Sequence, residues 1–414
     1  EMCIRDRHST MRFLPKPVNN VADLSSGVSV DARDHSKATL SVLMFASGST
    51  AVSGSIIFAA LGDLQDKYGF ADLGLGLIAG IGFVFGLLTQ VFIAPLADSY
   101  KPKYLMVAGL CVAAAGSLVF AFGDSLWQFI IGRAMVGISF GCTQPAAHAI
   151  AANLDKTRAA ERLGRLASIE TAGIVGGPFI GGIMLDPLGL RWTFVIFAIV
   201  AGLAALTLSA KSLPKLPSSE RSRRFSLELL RVPGVRTVAL TTMSLFLPVG
   251  VYDALWDRYL TDRGASNFVV GLSFLIYGIP FVILVRAGGR LADKAGPLRV
   301  ALYSVFFLAP LVAGYGIATT PLAIILLSIL EGILQATVVP AMRAGMSQVA
   351  PEGRAAAAQG LSGAANLVGA ALTALISPWV YGSHGPVWAF AGVAGVMVLL
   401  SLTAQTMARR HDLI

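Results

Sequence analysis

Leu96-Ala97-Asp98 and Leu291-Ala292-Asp293 are two copies of one tripeptide, 195 residues apart. Each closes a long apolar run and precedes a short basic turn, Ser99-Tyr100-Lys101-Pro102-Lys103 in one case and Lys294-Ala295-Gly296-Pro297 in the other. The same offset carries Gly137 onto Gly332 and Pro145 onto Pro340. One residue more carries Arg158 onto Arg354 and Gly164 onto Gly360. Correspondences in this order imply two halves made by duplication, an organisation frequent in membrane transporters.

Composition agrees. Of 414 residues, 55% are hydrophobic and only 13% charged, with a mean hydropathy of +0.72. A soluble domain carries about a quarter charged residues, so the chain is read as a polytopic, all-α membrane protein. Its length suits about twelve spans of roughly 20 residues. The expected spans are 41–61, 73–96, 104–122, 126–152, 164–185 and 190–210, then 235–260, 269–287, 300–317, 322–349, 358–380 and 387–407. They make a six-helix bundle over 40–210 and another over 235–408, with tails at 1–39 and 409–414 and a basic linker at 211–234. Residues 1–39 are polar, lack a signal-peptide pattern, and are expected to be disordered or loosely docked. In the linker, Arg224–Arg231 reads equally as a short helix on anionic headgroups or as a solvated segment.

The net charge of +9 sorts by side. Lys67, Arg191, Arg258 and Arg263 fall on one face, Arg133 lies within a span, and the rest fall on the opposite face, at helix ends or in the tails. This positive-inside pattern places both termini in the cytoplasm. The charge orients the protein in an anionic bilayer and does not call for nucleic acid. Cys3, Cys111 and Cys142 give neither a disulfide framework nor a metal spacing. There is no P-loop and no nucleophile elbow, so no enzyme activity, ATP coupling, cofactor or metal is expected.

The second repeat reads Gly289-Arg290-Leu291-Ala292-Asp293-Lys294-Ala295-Gly296-Pro297, the first Ala94-Pro95-Leu96-Ala97-Asp98-Ser99-Tyr100-Lys101-Pro102-Lys103. These resemble the G-x-L-A-D-R-x-G-R-K signature of the major facilitator superfamily, found between helices 2–3 and 8–9. The resemblance implies that superfamily's fold, twelve helices in two pseudo-symmetric bundles. The second copy fits well; the first has Ala94, Ser99 and Lys101 where Gly, Arg and Gly belong. Asp98, Lys101, Gly289, Asp293, Lys294 and Gly296 then read as turns that latch one conformation, the alternative being a loop that only anchors topology.

Span five contains Gly173-Ile174-Val175-Gly176-Gly177-Pro178-Phe179-Ile180-Gly181-Gly182. Gly173, Gly177 and Gly181 stand four residues apart, one smooth face for close helix packing. With Pro178 and Gly182 the stretch is similar to the superfamily's antiporter motif, notably that of drug/proton exchangers. Arg133, followed by Gly137, resembles the superfamily's helix-4 pattern. It lies about 10 Å deep by helical rise, where a cation needs a polar cavity or partner unless it snorkels outward.

Acids within spans are few. Glu331, near the middle of span ten, reads as the proton-coupling acid or as a structural acid paired within its bundle. Glu170 is expected to be partly wet. Asp253 is expected deep and Asp257 at a gate or surface beside Arg258, with His148 interfacial. Span one offers only serines and a threonine where many proton-driven drug exporters carry an acid. Gln144, Gln335 and Asn366 supply cavity polarity; Tyr252, Trp256 and Tyr277 could line an aromatic substrate surface, although belt anchoring explains Trp256 equally well.

The expected protein is a monomeric, multi-pass transporter of a bacterial inner membrane. It would exchange protons for a small amphipathic or drug-like compound, powered by the proton motive force. A symporter or a sugar or metabolite exporter is the second reading, a non-transporting sensor or scaffold the third.

Overall fold

The computed structural model describes residues 21–93, 102–154, 159–212, 227–352 and 354–413. These are helical, with 3-10 turns at Ile56–Ala59 and Leu227–Arg231 and no strand among them. Among the described residues, eleven helices are long and apolar enough to cross a bilayer. One of them, Ala159–Ala210, leaves helical geometry at Gly189, where φ is 70° and ψ 170°. A Cβ would strain that conformation, so the glycine lets one continuous stretch fold back as two spans. Twelve spans result.

Span 1 is Val21–Ser55, span 2 Asp72–Phe92, span 3 Pro102–Phe122 and span 4 Leu126–Leu154. Spans 5 and 6 are 159–188 and 190–210. Span 7 is Pro233–Thr261, span 8 Asn267–Ala295, span 9 Pro297–Tyr303 with Val305–Ile317, span 10 Pro321–Val349, span 11 Ala355–His384 and span 12 Pro386–Arg410. The termini share one face, here the terminal face; the turns after odd-numbered spans lie on the far face.

Packing repeats between the halves. Spans 1 and 5 pair as spans 7 and 11 do, spans 2 and 4 as 8 and 10, spans 3 and 6 as 9 and 12. The halves meet where span 2 packs on span 11 and span 5 on span 8. The glycine face of span 5 explains part of this. A Cβ at Gly173 would lie 2.7 Å from that of Ala51, and one at Gly181 would lie 2.8 Å from Ile56, so these glycines seat span 1 and the 3-10 turn that follows it. Gly177 presses on Val52 and Ser55 of the same span. Gly182 faces the other way, where a Cβ would collide with the Asn267 carbonyl of span 8.

The chain departs from the sequence expectation at four places. Helix begins at Val21, so part of the expected loose tail continues span 1. A short extra helix, Leu61–Tyr68, follows span 1 on the far face and ends at Gly69 with φ 68°. The second Leu-Ala-Asp lies in the last turns of span 8 rather than in a turn, and the chain reverses at Gly296, φ 90°, with Pro297 opening the next helix. In the linker, the described end forms the short turn Leu227–Arg231, whose Leu229 is buried among Val235, Leu298 and Ala357 of the C-terminal bundle. Asp98 and Lys101 lie outside the described residues.

Candidate functional site: a buried charge cluster between the halves

Span 4 delivers Arg133 to the centre of the molecule, 5% exposed. Gly82 of span 2 makes the room, since a Cβ there would stand 2.7 Å from Arg133 Nε. Nη2 donates to Oδ2 of Asp253 on span 7 at 2.5 Å, and Nη1 donates to the Gly54 carbonyl of span 1 at 2.7 Å. The guanidinium also lies 5.4 Å from the centre of the Phe58 ring, within cation–π range. Arg133 therefore does not snorkel. It is clamped between both halves. Asp253 is 2% exposed, and its Oδ1, like Arg133 Nε, has no partner among the described residues. A buried pair left partly unsatisfied is a poor source of stability.

The neighbouring residue on span 7, Tyr252, donates its hydroxyl to Glu331 Oε2 at 2.8 Å. Tyr315 of span 9 donates to the same oxygen at 2.7 Å. Glu331, 1% exposed on span 10, is thus held by two neutral donors, with Gln335 buried one turn on. Trp256 packs edge-on against Tyr252 and Tyr315, at ring separations of 5.0 and 5.1 Å, and donates to Ser273 Oγ at 2.8 Å. It is a buried strut of this cluster and does not anchor an interfacial belt. Tyr277 is half-buried on span 8, and its carbonyl is where a Cβ at Gly332 would collide. Phe58 and Phe274 pack across the halves at 5.9 Å.

Two acids sit differently from the sequence expectation. Glu170 is buried, 6% exposed, and its Oε2 meets Nε2 of the half-exposed His148 at 3.1 Å. Asp257 is also buried, because its Oδ2 accepts the Gly62 N–H at 2.6 Å and closes the N-terminus of the short helix Leu61–Tyr68. Around it, Arg258 pairs with Asp66, and Asn267 Nδ2 donates to Asp63 at 3.0 Å and Asp186 at 2.8 Å. These bonds tie the halves together at the far face. Asp293 and Lys294 are exposed and have no polar partner among the described residues. Gln144 is half-buried on span 4, and Asn366 lines a separate recess on span 11. Tyr315, Gly54 and Phe58 escaped the sequence reading, because nothing local marks a tyrosine, a carbonyl or a ring as a partner of a distant charge.

The model of the Major Facilitator Superfamily matches residues 43–255 and 238–411. The chain belongs to the Major Facilitator Superfamily. It is 26% identical over 277 residues to the multidrug resistance protein MdtG of Rahnella sp. (strain Y9602), covering 65% of this chain and 67% of that one. It is 28% identical over 244 residues to an uncharacterized MFS-type transporter of Methanocaldococcus jannaschii, covering 56% and 63%. The matched segments thus span about two thirds of these relatives' length. Among solved structures, the nucleoside transporter NupG superposes with a TM-score of 0.74 at 14% identity, covering 90% of this chain and 98% of that chain. A bacterial homolog of the human lysosomal transporter Spinster, in an inward-facing and occupied conformation, gives 0.69 at 16%, covering 91% and 96%. The fold is that of a multi-pass membrane transporter.

Proposed function

We propose that this protein exports a small amphipathic compound in exchange for protons, by alternating access between its two bundles. The Arg133–Asp253 pair carries the reading: it is buried, it joins the halves, and it adjoins a second buried acid, Glu331. Glu331 is the proton site. When it gains a proton it loses the charge that strengthens both tyrosine bonds to Oε2, and its carboxyl gains an O–H that seeks an acceptor of its own. Tyr252 passes that loosening to Asp253, the next residue of span 7, and so to the strut between halves. The relatives named as multidrug resistance proteins support an exporter of this kind. The cation asymmetry supports a cytoplasmic terminal face, so the far-face bonds hold the state that opens to the cytoplasm. No bound cofactor is required, since the proton gradient supplies the energy, and one chain of an inner membrane suffices.

A symporter or metabolite exporter is the second reading, favoured by the absence of any acid in Ala38–Ala59. Inverted vesicles with a fluorescent pH probe separate the two. Anionic, neutral and cationic amphiphiles are added in turn to vesicles holding a preformed pH gradient. The exporter dissipates the gradient when its substrate arrives, a symporter moves protons the other way, and Glu331→Gln abolishes the signal while leaving the melting profile near wild type. Normal proton-linked flux in that variant removes Glu331 from the mechanism.

A further inference from the structure

The two halves differ at one polar position in a way that points to a ligand. In the N-terminal half, His148 of span 4 pairs with Glu170 of span 5. The repeat offset carries His148 onto Arg343 in span 10, and with the one-residue slip it carries Glu170 onto Asn366 in span 11. The C-terminal half therefore places a permanent cation where the other half has a histidine, and substitutes a neutral amide for the acid. Arg343 and Asn366 line one recess of about 200 Å³ together with Thr242, Phe246, Met342 and Ser362. Neither side chain has a hydrogen-bond or ionic partner among the described residues. The frame around them is fixed: Gln359 Nε2 donates to the Arg343 carbonyl at 2.6 Å and to Ser347 Oγ at 3.0 Å. Thr242 and Ser362 share a hydroxyl bond at 3.0 Å across spans 7 and 11.

A guanidinium offers several donors in a flat fork suited to carboxylate or phosphate oxygens. Arg343 is exposed and stands about 9 Å inside the end of its helix, and the half-buried Asn366 amide adds further donors on the same recess. Phe246 and Met342 supply an apolar wall for whatever that anion is attached to. We infer that this recess takes the anionic headgroup of an amphiphile, with Arg343 as counter-charge and Asn366 as second donor. The inference rests on the export reading and names its substrate class as anionic amphiphiles; a lipid headgroup has the same chemistry.

The test uses purified full-length protein in a neutral detergent, with decanoate, decanol and decyltrimethylammonium as probes of equal chain length. Decanoate should bind most tightly. Arg343→Gln should weaken it about tenfold, the scale of one lost charge-assisted contact. Asn366→Glu, which restores the acid of the other half, should weaken it as much, whereas Arg343→Lys should retain most of it. Equal decanoate affinity in wild type and both weakening variants, with unchanged melting profiles, overturns the proposal, and so does equal affinity for the cationic probe. Decanoate efflux from vesicles lacking anionic lipid, lost in the same variants, identifies a transported compound. Phosphatidylglycerol retained by the wild type but not by the variants in native mass spectrometry identifies a resident lipid. Binding is read without a proton gradient, so it fails or holds independently of the Glu331 result.

Discussion

Arg133 and Asp253 form a contact whose energetics argue for function. Each buried charge costs several kcal/mol to desolvate, and the pair recovers this only when all its polar atoms find partners. Here Arg133 Nε and Asp253 Oδ1 do not. Removing one partner strands the other, at a cost of about 3–5 kcal/mol, whereas replacing both by apolar residues of similar size is often neutral or better. Arg133→Gln and Asp253→Asn should therefore each lower the melting temperature, and Arg133→Met with Asp253→Leu should melt above either single variant. All three should lose transport. Thermal unfolding in detergent beside vesicle flux reads both halves of this claim, and a double variant less stable than each single one refutes it. The pair also marks how far sequence reaches. The depth of Arg133 and Asp253 was legible from hydropathy, because a charge inside an apolar run is conspicuous. Their partnership was not, since 120 residues separate them and only packing brings span 4 to span 7.

At the scale of elements, the short helix Leu61–Tyr68 is the part with least support of its own. Its N-cap, Ala60, offers no side-chain bond, and Asp257 from the other half supplies the missing acceptor at Gly62. That explains why an acid expected at a gate or surface is buried: it serves as a helix cap across an interface. Periodicity revealed the spans but not this helix, whose eight residues include Asp63, Asp66 and Lys67 and read as a polar loop. The same helix brings Asp63 against Asn267, with Asp186 and Asp66 nearby. Burial raises the Asp63 carboxyl above its ordinary 3.8, and the two aspartates push the same way, against the Asn267 amide that lowers it. A native value above the unfolded one means that the folded state holds the proton more tightly. Its contribution is fully present at low pH and is lost as pH rises through the raised value. Asp63→Asn keeps an oxygen for Asn267 and removes the charge. It should melt higher than wild type at neutral pH, with an advantage that shrinks as the solution is acidified. A gap between the two proteins that stays constant with pH would show that Asp63 does not titrate in this contact.

At the scale of the whole molecule, duplication is written into the interface as well as into the bundles. Gly62 and Asp257, which bond at the far face, are themselves related by the repeat offset of 195 residues. Equivalent positions touch each other only near a two-fold axis, so the pseudo-axis passes through this bond. Two seats flank it. A Cβ at Gly76 in span 2 would lie 2.9 and 2.8 Å from the carbonyls of Ala374 and Leu375 in span 11. Gly271 in span 8 is its repeat partner, and a Cβ there would lie 2.6 and 3.3 Å from the carbonyls of Pro178 and Phe179 in span 5. Because backbone is the obstacle on both sides, an added methyl must push spans apart. Gly76→Ala and Gly271→Ala should consequently act alike, each shifting the protein toward a far-face-open state, and together more strongly than either alone. The readout is labelling of Phe274→Cys, at the contact with Phe58, by a membrane-impermeant maleimide in a background lacking Cys3, Cys111 and Cys142. Gly176→Ala, which meets nothing within 4 Å, is the control and should label as the parent does. Faster labelling in one seat variant but not in its repeat partner would mean that the halves separate about something other than this axis.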